Sequence, residues 1–267
     1  MTNERLQYRK EVAFINREKE LAFLEGFINE RPESIIFLHG PKSSGKTILL
    51  YKFLEQIEKE QKLDVKFLNL RKILTEFDDN YNYRDFLNIL FGVEDKSDGY
   101  FLNTVYTDSK LKKTSKFYKI DYLSKEDVME WLLNLEKYSK IKDYSLTTED
   151  AEKVWDVVGG SMWEIQDILS QLFEHPIDDA LDDYKQKMLG QITYYIVQKE
   201  RKKREKILSH FIDNNQLWAR DTNEEDEALL KDMVTNNILY FDPTRAVYYP
   251  QGKSYHWGIR LYFESIS

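Results

Sequence analysis

Eight residues near the amino terminus have the types and spacing needed to hold a phosphate group. They run from Gly40 to Thr47 and match G-x-x-x-x-G-K-[ST] at every fixed position. Glycine at Gly40 and Gly45 permits backbone conformations in which successive N–H groups point inward around a phosphate. Lys46 is expected to be the catalytic cation that bridges β- and γ-phosphate oxygens, and the Thr47 hydroxyl is expected to ligate Mg²⁺. Nucleotide binding is therefore predicted.

The segments on both sides of this loop are those that the motif requires. Residues 35–38 are a short apolar run suited to a buried parallel strand, and a helical pattern begins at Ile48. One face of that helix is apolar: Leu50, Phe53, Leu54 and Ile57. Its amino terminus adds the positive end of a helix dipole. The nucleotide-binding residues predicted from the loop are Gly40, Pro41, Lys42, Ser43, Ser44, Gly45, Lys46, Thr47 and Ile48.

The composition excludes several classes of protein. The chain has 267 residues, 42% of them hydrophobic and 32% charged, which is usual for a soluble globular protein. There is no cysteine, which excludes a disulfide framework and a thiolate metal site. No apolar run is long enough to span a bilayer and no signal-peptide pattern opens the chain, so a cytoplasmic protein is predicted. A net charge of −8 argues against nucleic-acid binding through bulk positive charge.

Further helices and strands can be placed by periodicity and by capping residues. Asn16 is predicted to cap a helix that precedes the first strand, and Ser124 and Thr147 or Thr148 to begin later helices. A glycine pair, Gly159-Gly160, should end one helix before Ser161 restarts the next. Strands are predicted at residues 65–70 and 116–122, with a helix at 83–91 between them.

The last third of the chain suggests a separate compact unit. A long helical stretch begins near residue 177, and a basic run at 199–206 leads into an apolar helix. A second short helix is predicted near residues 216–220 and a third at 224–235. Residues 238–249 have the pattern of a hairpin with its turn at 242–245. Three helices followed by a hairpin describe a winged helix.

Together these features resemble the archaeal ATPase family, P-loop proteins of the AAA+/STAND group. Residues 14–21 look like the family's amino-terminal box, which borders the adenine, and the resemblance adds Phe14, Ile15 and Arg17 to the nucleotide-binding residues. Residues 97–106 look like the exit from the family's fourth strand, and 118–124 are similar to its fifth strand and the loop that opens the lid. Met162 stands where the family's Gly-Gly-x-Pro lid motif has its proline.

The resemblance implies a fold, a division into domains and a function. The fold is α/β, an AAA+-like P-loop NTPase with a parallel sheet core at residues 1–123, a helical lid at 124–198 and a winged-helix domain at 199–267. The implied function is binding of ATP with Mg²⁺, and slow hydrolysis coupled to a conformational switch or to assembly. GTP is disfavoured because no Asn-Lys-x-Asp motif occurs.

The chain departs from this family in the strand that carries the catalytic carboxylates. Family members place four apolar residues ending in Asp-Glu between their second and fourth strands, and residues 91–97 leave no room for them. Asp78 and Asp79 follow no apolar strand, Asp121 ends the wrong strand, and Asp242 is expected to shape the hairpin turn. Either the printed sequence lacks several tens of residues around 94–97, or the deletion is real and nucleotide is bound without turnover. We favour the first, since losing a central strand would expose the core.

A DNA-associated ATPase is the remaining alternative. Residues 199–206 are basic, but Glu200 and Glu205 interrupt the run, and residues 223–227 open the third helix with acidic groups that repel phosphates. If DNA were bound, Arg201 and Arg204 would be the contacts to test. A protein partner, self-association or an intramolecular role is therefore favoured for the winged helix. Core packing, rather than base stacking, is predicted for Tyr194, Tyr195, Tyr248, Tyr249 and Trp257, and a structural role for His39.

Overall fold

The computed structural model of the chain describes residues 14–29, 35–60, 115–139, 144–172 and 175–266. The features predicted at residues 65–70, 78–79, 83–91, 91–97 and 97–106 lie outside these described residues. Within them, a small α/β core is followed by a layer of helices and by a carboxy-terminal unit with its own sheet.

The phosphate loop lies in the α/β core, whose elements are α1 (Glu18–Asn29), β1 (Ile35–His39), α2 (Lys46–Glu60) and β2 (Ser115–Lys119). The two strands pair in parallel, with Ile36 opposite Lys116 and His39 opposite Lys119. The predicted strand, loop and helix are confirmed. The inward face of α2 consists of Leu49, Phe53, Leu54 and Ile57, whereas Leu50 is half-buried.

Asn16 does not cap α1 as predicted. The helix begins at Glu18, and Asn16 has a φ of 43°, in the left-handed region that asparagine tolerates better than most residues. Its side-chain amide donates to Asp127 in the first helix of the lid. The Asn16 side chain was predicted to cap the helix from local sequence preference. It makes a contact with a residue distant in sequence, Asp127, instead.

The layer of helices that follows the core is named the lid after the sequence-based prediction. It contains α3 (Lys125–Leu133), α4 (Leu135–Ser139), α5 (Thr148–Val158) and α6 (Met162–Gln171). The predicted caps are confirmed: Ser124 and Thr147 each form a capping box, with Asp127 and Asp150 as reciprocal partners. Gly159 ends α5 with a φ of 60°, and Ser161 precedes α6. The lid core includes the fully buried side chains of Val128, Trp131, Leu132, Ile165 and Ile168.

One long helix, α7 (Ile177–Gln198), belongs to two hydrophobic cores. Its amino-terminal half, up to Met188, packs in the lid core, and Ile192, Tyr195 and Ile196 pack in the carboxy-terminal core. The lid and the carboxy-terminal unit therefore share a rigid element, and the change from one core to the other falls inside this helix.

The carboxy-terminal unit contains α8 (Arg201–Asp213), β3 (Leu217–Trp218), α9 (Glu224–Thr235), β4 (Leu239–Asp242) and β5 (Val247–Pro250). Its three strands form an antiparallel sheet in the order β3-β5-β4. The helix predicted at residues 216–220 is wrong, because Leu217 and Trp218 pair with β5 and Ala219–Asp221 is a single 3-10 turn. The hairpin is confirmed, and Asp242 accepts from the backbone and the hydroxyl of Thr244 in its turn.

The final helix, α10 (Lys253–Ile266), was not predicted. It packs closely along α7 at Gly258, where an added methyl group would lie 3.0 Å from both Ile192 Cγ1 and Met188 O. Ile259 and Tyr262 are buried and Tyr255 is partly buried, and this spacing of four and three residues could have revealed the helix. In the described part of the chain, no helix combines the length and apolar character needed to cross a bilayer.

The aromatic residues fall into two groups. Tyr195 and Tyr248 are buried, and Tyr249 and Trp257 are half-buried, as core packing requires. Tyr194, by contrast, is 70% exposed, so the prediction that it packs in the core is wrong. Successive residues of a helix point in different directions, so that of this tyrosine pair Tyr195 is buried in the carboxy-terminal core and Tyr194 faces solvent.

Candidate functional site

The phosphate loop follows β1 directly and has the backbone conformations that its glycines were expected to permit. Gly40 has a φ of 149° and Gly45 one of 88°, and Ser43 is also left-handed at 65°. A methyl group on Gly40 would lie 1.9 Å from Ile120 O, so any other residue would collide with the end of β2. The loop is therefore a concave stretch of backbone between the ends of β1 and β2.

Lys46 and Thr47 stand in the first turn of α2. The Lys46 ammonium donates to Gly40 O at 3.0 Å, to Pro41 O at 2.6 Å and to Ser44 Oγ at 3.3 Å. Helix geometry leaves the first N–H groups of α2 without intrahelical acceptors. The Lys46 cation, the N–H groups that open α2 and the positive end of the helix dipole consequently meet in one place, which suits an anion.

Arg17 ties this loop to the rest of the core. It is 5% exposed, and its Nη2 donates to Ser44 O in the loop at 2.9 Å and to Asp121 O after β2 at 2.7 Å. Its Nη1 donates to Glu20 at 2.7 Å. The guanidinium is thus held by protein acceptors, which fix the position of the loop.

A cleft of about 470 Å³ borders the amino-terminal box, within the size range of small-molecule sites. It is lined by residues 16–20 and by Lys119, Asp121, Tyr122, Ser124 and Asp127. The side chains of Phe14 and Ile15 are placed elsewhere. Ile15 is 1% exposed in the lid core, and Phe14 packs against the core of α1 and α2. The box therefore presents its backbone and polar side chains to the cleft.

The lid touches the phosphate loop through Met162. This side chain is 2% exposed, and its sulfur lies 3.0 Å from the point where a methyl group on Gly45 would stand. Gly160, near Met162 in the chain, has no side chain, and its carbonyl oxygen accepts from Leu123 N at 3.1 Å. The position that departs from the family motif is therefore packed directly on the loop.

The carboxy-terminal unit also reaches the loop. Gln251, between β5 and α10, is 5% exposed, and in the amide orientation that satisfies both neighbours its oxygen accepts from Lys42 N at 2.5 Å. Tyr122 donates its hydroxyl to Gln251 O. These contacts were missed from the sequence, because nothing local marks a glutamine 209 positions away as a neighbour of Lys42.

His39 is buried where the core meets the hairpin. Its Nδ1 lies 3.1 Å from the Tyr240 hydroxyl, and the nearby pair Lys119–Asp242 spans 3.6 Å. Burial lowers the pKa of His39; Asp242 opposes this effect, and Lys119 and Lys46 reinforce it. The imidazole is consequently neutral near pH 7, which suits the structural role predicted for it.

The donor set at the loop fits a nucleotide phosphate with Mg²⁺. Magnesium keeps several waters and is held by phosphate oxygens with few protein ligands. Thr47, the residue predicted to ligate Mg²⁺, is exposed in the first turn of α2. Asp121 ends β2 at the same edge, where its carboxylate pairs with Lys119 at 2.7 Å.

The segment of the chain that contains this site is similar to a known protein domain. Residues 14–91 match the model of an ATPase domain found predominantly in Archaea. The match begins at the amino-terminal box and contains the whole phosphate loop, but covers less than half of the chain.

Several proteins that are similar to this chain in sequence are named as ATP-binding proteins. Two uncharacterized ATP-binding proteins of Methanocaldococcus jannaschii, MJ1006 and MJ1076, are 35% and 37% identical over 109 and 100 residues. These alignments cover 41% and 38% of this chain but only 28% and 27% of the relatives. The uncharacterized ATP-binding protein PYRAB12000 of Pyrococcus abyssi is 23% identical over 334 positions, covering 95% of this chain and 98% of the relative.

The fold is similar to that of a solved structure. This structure is the Walker-type ATPase PABY2304 of Pyrococcus abyssi, with a TM-score of 0.58 and 15% identity. The superposition covers 92% of this chain and 96% of the other, so the likeness extends through the lid and the carboxy-terminal unit.

Proposed function

We propose that this protein binds ATP with Mg²⁺ at the loop Gly40–Thr47 and uses the bound nucleotide as a conformational switch. The observation that carries the proposal is the loop itself, with Gly40 and Gly45 at positive φ and the Lys46 ammonium fixed across it. The names of the relatives and the matched ATPase domain support the same nucleotide.

Each part of the site has a separate task in this proposal. Lys46 neutralises the phosphate oxygens, the N–H groups that open α2 bind them, and Thr47 supplies an oxygen to Mg²⁺. Bound Mg²⁺ would supply positive charge that offsets the charge of the phosphates. The adenine would lie in the cleft beside the amino-terminal box, against the backbone of residues 14–17. Arg17 acts there by positioning the loop rather than by touching the nucleotide.

The proposed switch consists of the parts that touch the loop. The lid contacts it through Met162, and the carboxy-terminal unit contacts it through Gln251. A ligand that prefers one arrangement of these contacts shifts the equilibrium toward that arrangement. Because α7 belongs to both cores, a movement of the lid would be transmitted to the carboxy-terminal unit.

We further propose that the carboxy-terminal unit is a winged helix with a protein-contact or intramolecular role. The order α8, β3, 3-10 turn, α9 and hairpin, with the sheet order β3-β5-β4, supports this proposal. Its basic run does not favour DNA. Arg201, Lys203 and Lys206 pair with carboxylates, and Arg204 is 6% exposed, donating to Asp232 and to Tyr195 O.

The relative PYRAB12000 supports the proposal that an internal segment is missing around residues 94–97. Its alignment runs over 334 positions, and since this chain has 267 residues, at least 67 positions of the relative have no counterpart here. A segment of that size has room for the strand that bears the catalytic carboxylates. We propose that hydrolysis depends on that strand, and that the residues present here supply binding.

Titration calorimetry with Mg-ATP tests the proposed function. Lys46→Ala should weaken binding at least about 100-fold, because a charged partner to phosphate contributes several kcal/mol. The matched control, Lys59→Ala, removes an exposed lysine at the other end of α2 and should leave the affinity unchanged. Equal affinities for the wild type and Lys46→Ala would contradict the proposal. Intact mass and ATP turnover on the same sample test the missing strand: a mass above 32.1 kDa with Lys46-dependent turnover is expected.

A further inference from the structure

The cleft beside the amino-terminal box contains a side-chain amide whose orientation is fixed. Asn16 lines this cleft and is exposed, and its Nδ2 donates to the Asp127 carboxylate of α3. Because carboxylate oxygens accept hydrogen bonds, the amide nitrogen of Asn16 must face Asp127, and its amide oxygen points away from Asp127. Among the described residues, no donor is hydrogen-bonded to that amide oxygen.

The backbone at Asn16 has an uncommon conformation. Its φ of 43° lies in the left-handed region, which residues other than glycine adopt rarely. The residues on both sides are anchored, because Ile15 is buried in the lid core and Arg17 is buried against protein acceptors. Backbone strain that anchored neighbours maintain is typical of residues that present a group to a ligand.

Arg17 joins this cleft to the phosphate loop. Its Nη2 donates both to Ser44 O in the loop and to Asp121 O, and Asp121 also lines the cleft. Two acceptors of the same nitrogen lie close together, so the cleft lies beside the loop. A nucleotide with its phosphates at the loop Gly40–Thr47 therefore has this cleft within reach of its base.

The side chains that line the cleft offer more hydrogen-bond acceptors than donors. The acceptors include the Asn16 amide oxygen and the carboxylates of Glu18, Asp121 and Asp127. Of the cations in the lining, Lys119 pairs with Asp121 at 2.7 Å and Arg17 is held by protein acceptors, which leaves Lys19. Adenine presents its N6 amino group as a donor, whereas guanine presents O6 as an acceptor. An acceptor-rich lining therefore suits adenine.

We propose that Asn16 selects adenine over guanine, with its amide oxygen accepting from the N6 amino group of the base. Asp127 is a positioning residue, because its carboxylate holds the Asn16 nitrogen and so leaves the oxygen for the base. The proposal rests on the proposed function and names what determines its choice of nucleotide. Guanine would bring its O6 against the amide oxygen, and two acceptors cannot pair with each other.

Calorimetric titration of the full chain with Mg-ATP, Mg-GTP and Mg-purine riboside triphosphate tests the proposal. Purine riboside triphosphate differs from ATP only in lacking the N6 amino group. The wild type should bind ATP about 3- to 10-fold more tightly than this analogue, the factor that corresponds to one hydrogen bond. GTP should bind to the wild type more weakly than ATP does.

Asn16→Gly removes the amide and places at this position a residue that adopts a positive φ readily. ATP and purine riboside triphosphate should bind to this variant equally, because the group that distinguishes them has lost its partner. Asn237→Gly is the matched control. Asn237 also has a positive φ, 56°, and lies after α9, away from the residues that line the cleft. This variant should keep the preference of the wild type for ATP.

Asp127→Asn tests the positioning role. Asparagine at this position can present either its oxygen or its nitrogen to Asn16, so the Asn16 amide can turn its own nitrogen toward the base. The preference for ATP over GTP should therefore fall about 3- to 10-fold. The start of α3 should be retained, because an asparagine oxygen can still accept from Ser124 N as Asp127 does.

An unchanged preference for ATP over purine riboside triphosphate in Asn16→Gly would overturn the proposal. This includes a variant in which both affinities fall by the same factor, because that result would give Asn16 a structural role alone. Failure of the proposed function has a different signature, namely a wild type that binds no nucleotide better than Lys46→Ala does. Lys46-dependent binding with equal wild-type affinities for ATP and the analogue would overturn the selection by Asn16 and leave the proposed function standing.

Discussion

Arg17 is a buried charge that organises the phosphate loop through its contacts with protein acceptors. Its guanidinium joins Ser44 O in the phosphate loop, Asp121 O after β2 and the Glu20 carboxylate of α1. The planar, multi-donor geometry of arginine suits three acceptors in different directions. Three segments that are distant in sequence therefore keep their relative positions through this side chain.

Replacing Arg17 should damage the fold more than the removal of an ordinary surface charge. Arg17→Met leaves the buried Ser44 carbonyl, the part-buried Asp121 carbonyl and the Glu20 carboxylate without this donor, which should lower the free energy of unfolding by about 3 kcal/mol. Arg17→Lys should recover only part of this loss, because an ammonium cannot span the three acceptors. Urea denaturation measures both variants. The control is Arg260→Met, at an exposed arginine of α10, which should change stability by less than about 0.5 kcal/mol. An equally small change for Arg17→Met would refute the role of Arg17 in holding the three segments together.

The residues of the site fall into two groups: those recognised from a local sequence motif, and those brought to the loop by packing between elements distant in sequence. Gly40, Lys46 and Thr47 could be recognised because the motif is local and each residue type has a chemical reason to be there. Gln251, Tyr122 and Met162 reach the loop only through the packing of other elements, and their types carry no such signal. Sequence reasoning therefore found the phosphate-loop motif and missed the residues that pack against it.

At the scale of elements, the same distinction separates confirmed helices from wrong ones. The capped helices α3 and α5 were predicted because Ser124 and Thr147 mark them within a few residues. The helix expected at residues 216–220 depends instead on the distant strand β5, which pairs with Leu217 and Trp218. Pairing across the sheet satisfies the backbone of these residues and overrides a short helical pattern.

Two glycines should respond in opposite ways to alanine substitution. A methyl group on Gly160 would lie 2.0 Å from Leu123 O and 2.6 Å from Leu123 N, in backbone that cannot give way easily. Gly160→Ala should therefore destabilise the junction of lid and core by about 3 kcal/mol or more. Gly190 lies exposed within α7 with no atom within 4 Å of the added methyl, so Gly190→Ala should stabilise by about 0.5–1 kcal/mol. Urea denaturation curves of the two variants measure these changes in stability. Equal changes for Gly160→Ala and Gly190→Ala would exclude the close approach at Gly160.

At the scale of the whole molecule, the lid and the carboxy-terminal unit meet around Glu164. This carboxylate of α6 accepts from the Ser254 hydroxyl of α10 at 2.9 and 3.0 Å. The other titratable groups that face it are Tyr184 and Lys187 of α7, together with Tyr122 and Tyr255. Burial raises the pKa of Glu164 to about 7, although its hydrogen bonds and Lys187 act in the opposite direction.

The pH dependence of stability follows from this raised pKa. Below pH 4.5 the carboxyl is protonated in both the folded and the unfolded chain. Between pH 4.5 and about 7 the unfolded chain loses its proton more readily, so the free energy of unfolding should fall as the pH rises. The loss should reach about 3–4 kcal/mol above pH 7, since one pKa unit corresponds to about 1.4 kcal/mol.

Glu164→Gln should remove this pH dependence, because glutamine keeps the shape and polarity of the side chain without its charge. Near pH 5 the variant and the wild type should unfold at similar urea concentrations, and near pH 8 the variant should be more stable by about 3–4 kcal/mol. Glu264→Gln, at an exposed glutamate of α10, supplies the comparison and should follow the wild type at every pH. A stability difference between Glu164→Gln and the wild type that is the same at both pH values would mean that Glu164 is not held in a charge-excluding interface. The lid and the carboxy-terminal unit would then be joined chiefly through α7, and the contact at Ser254 would contribute little to holding them together.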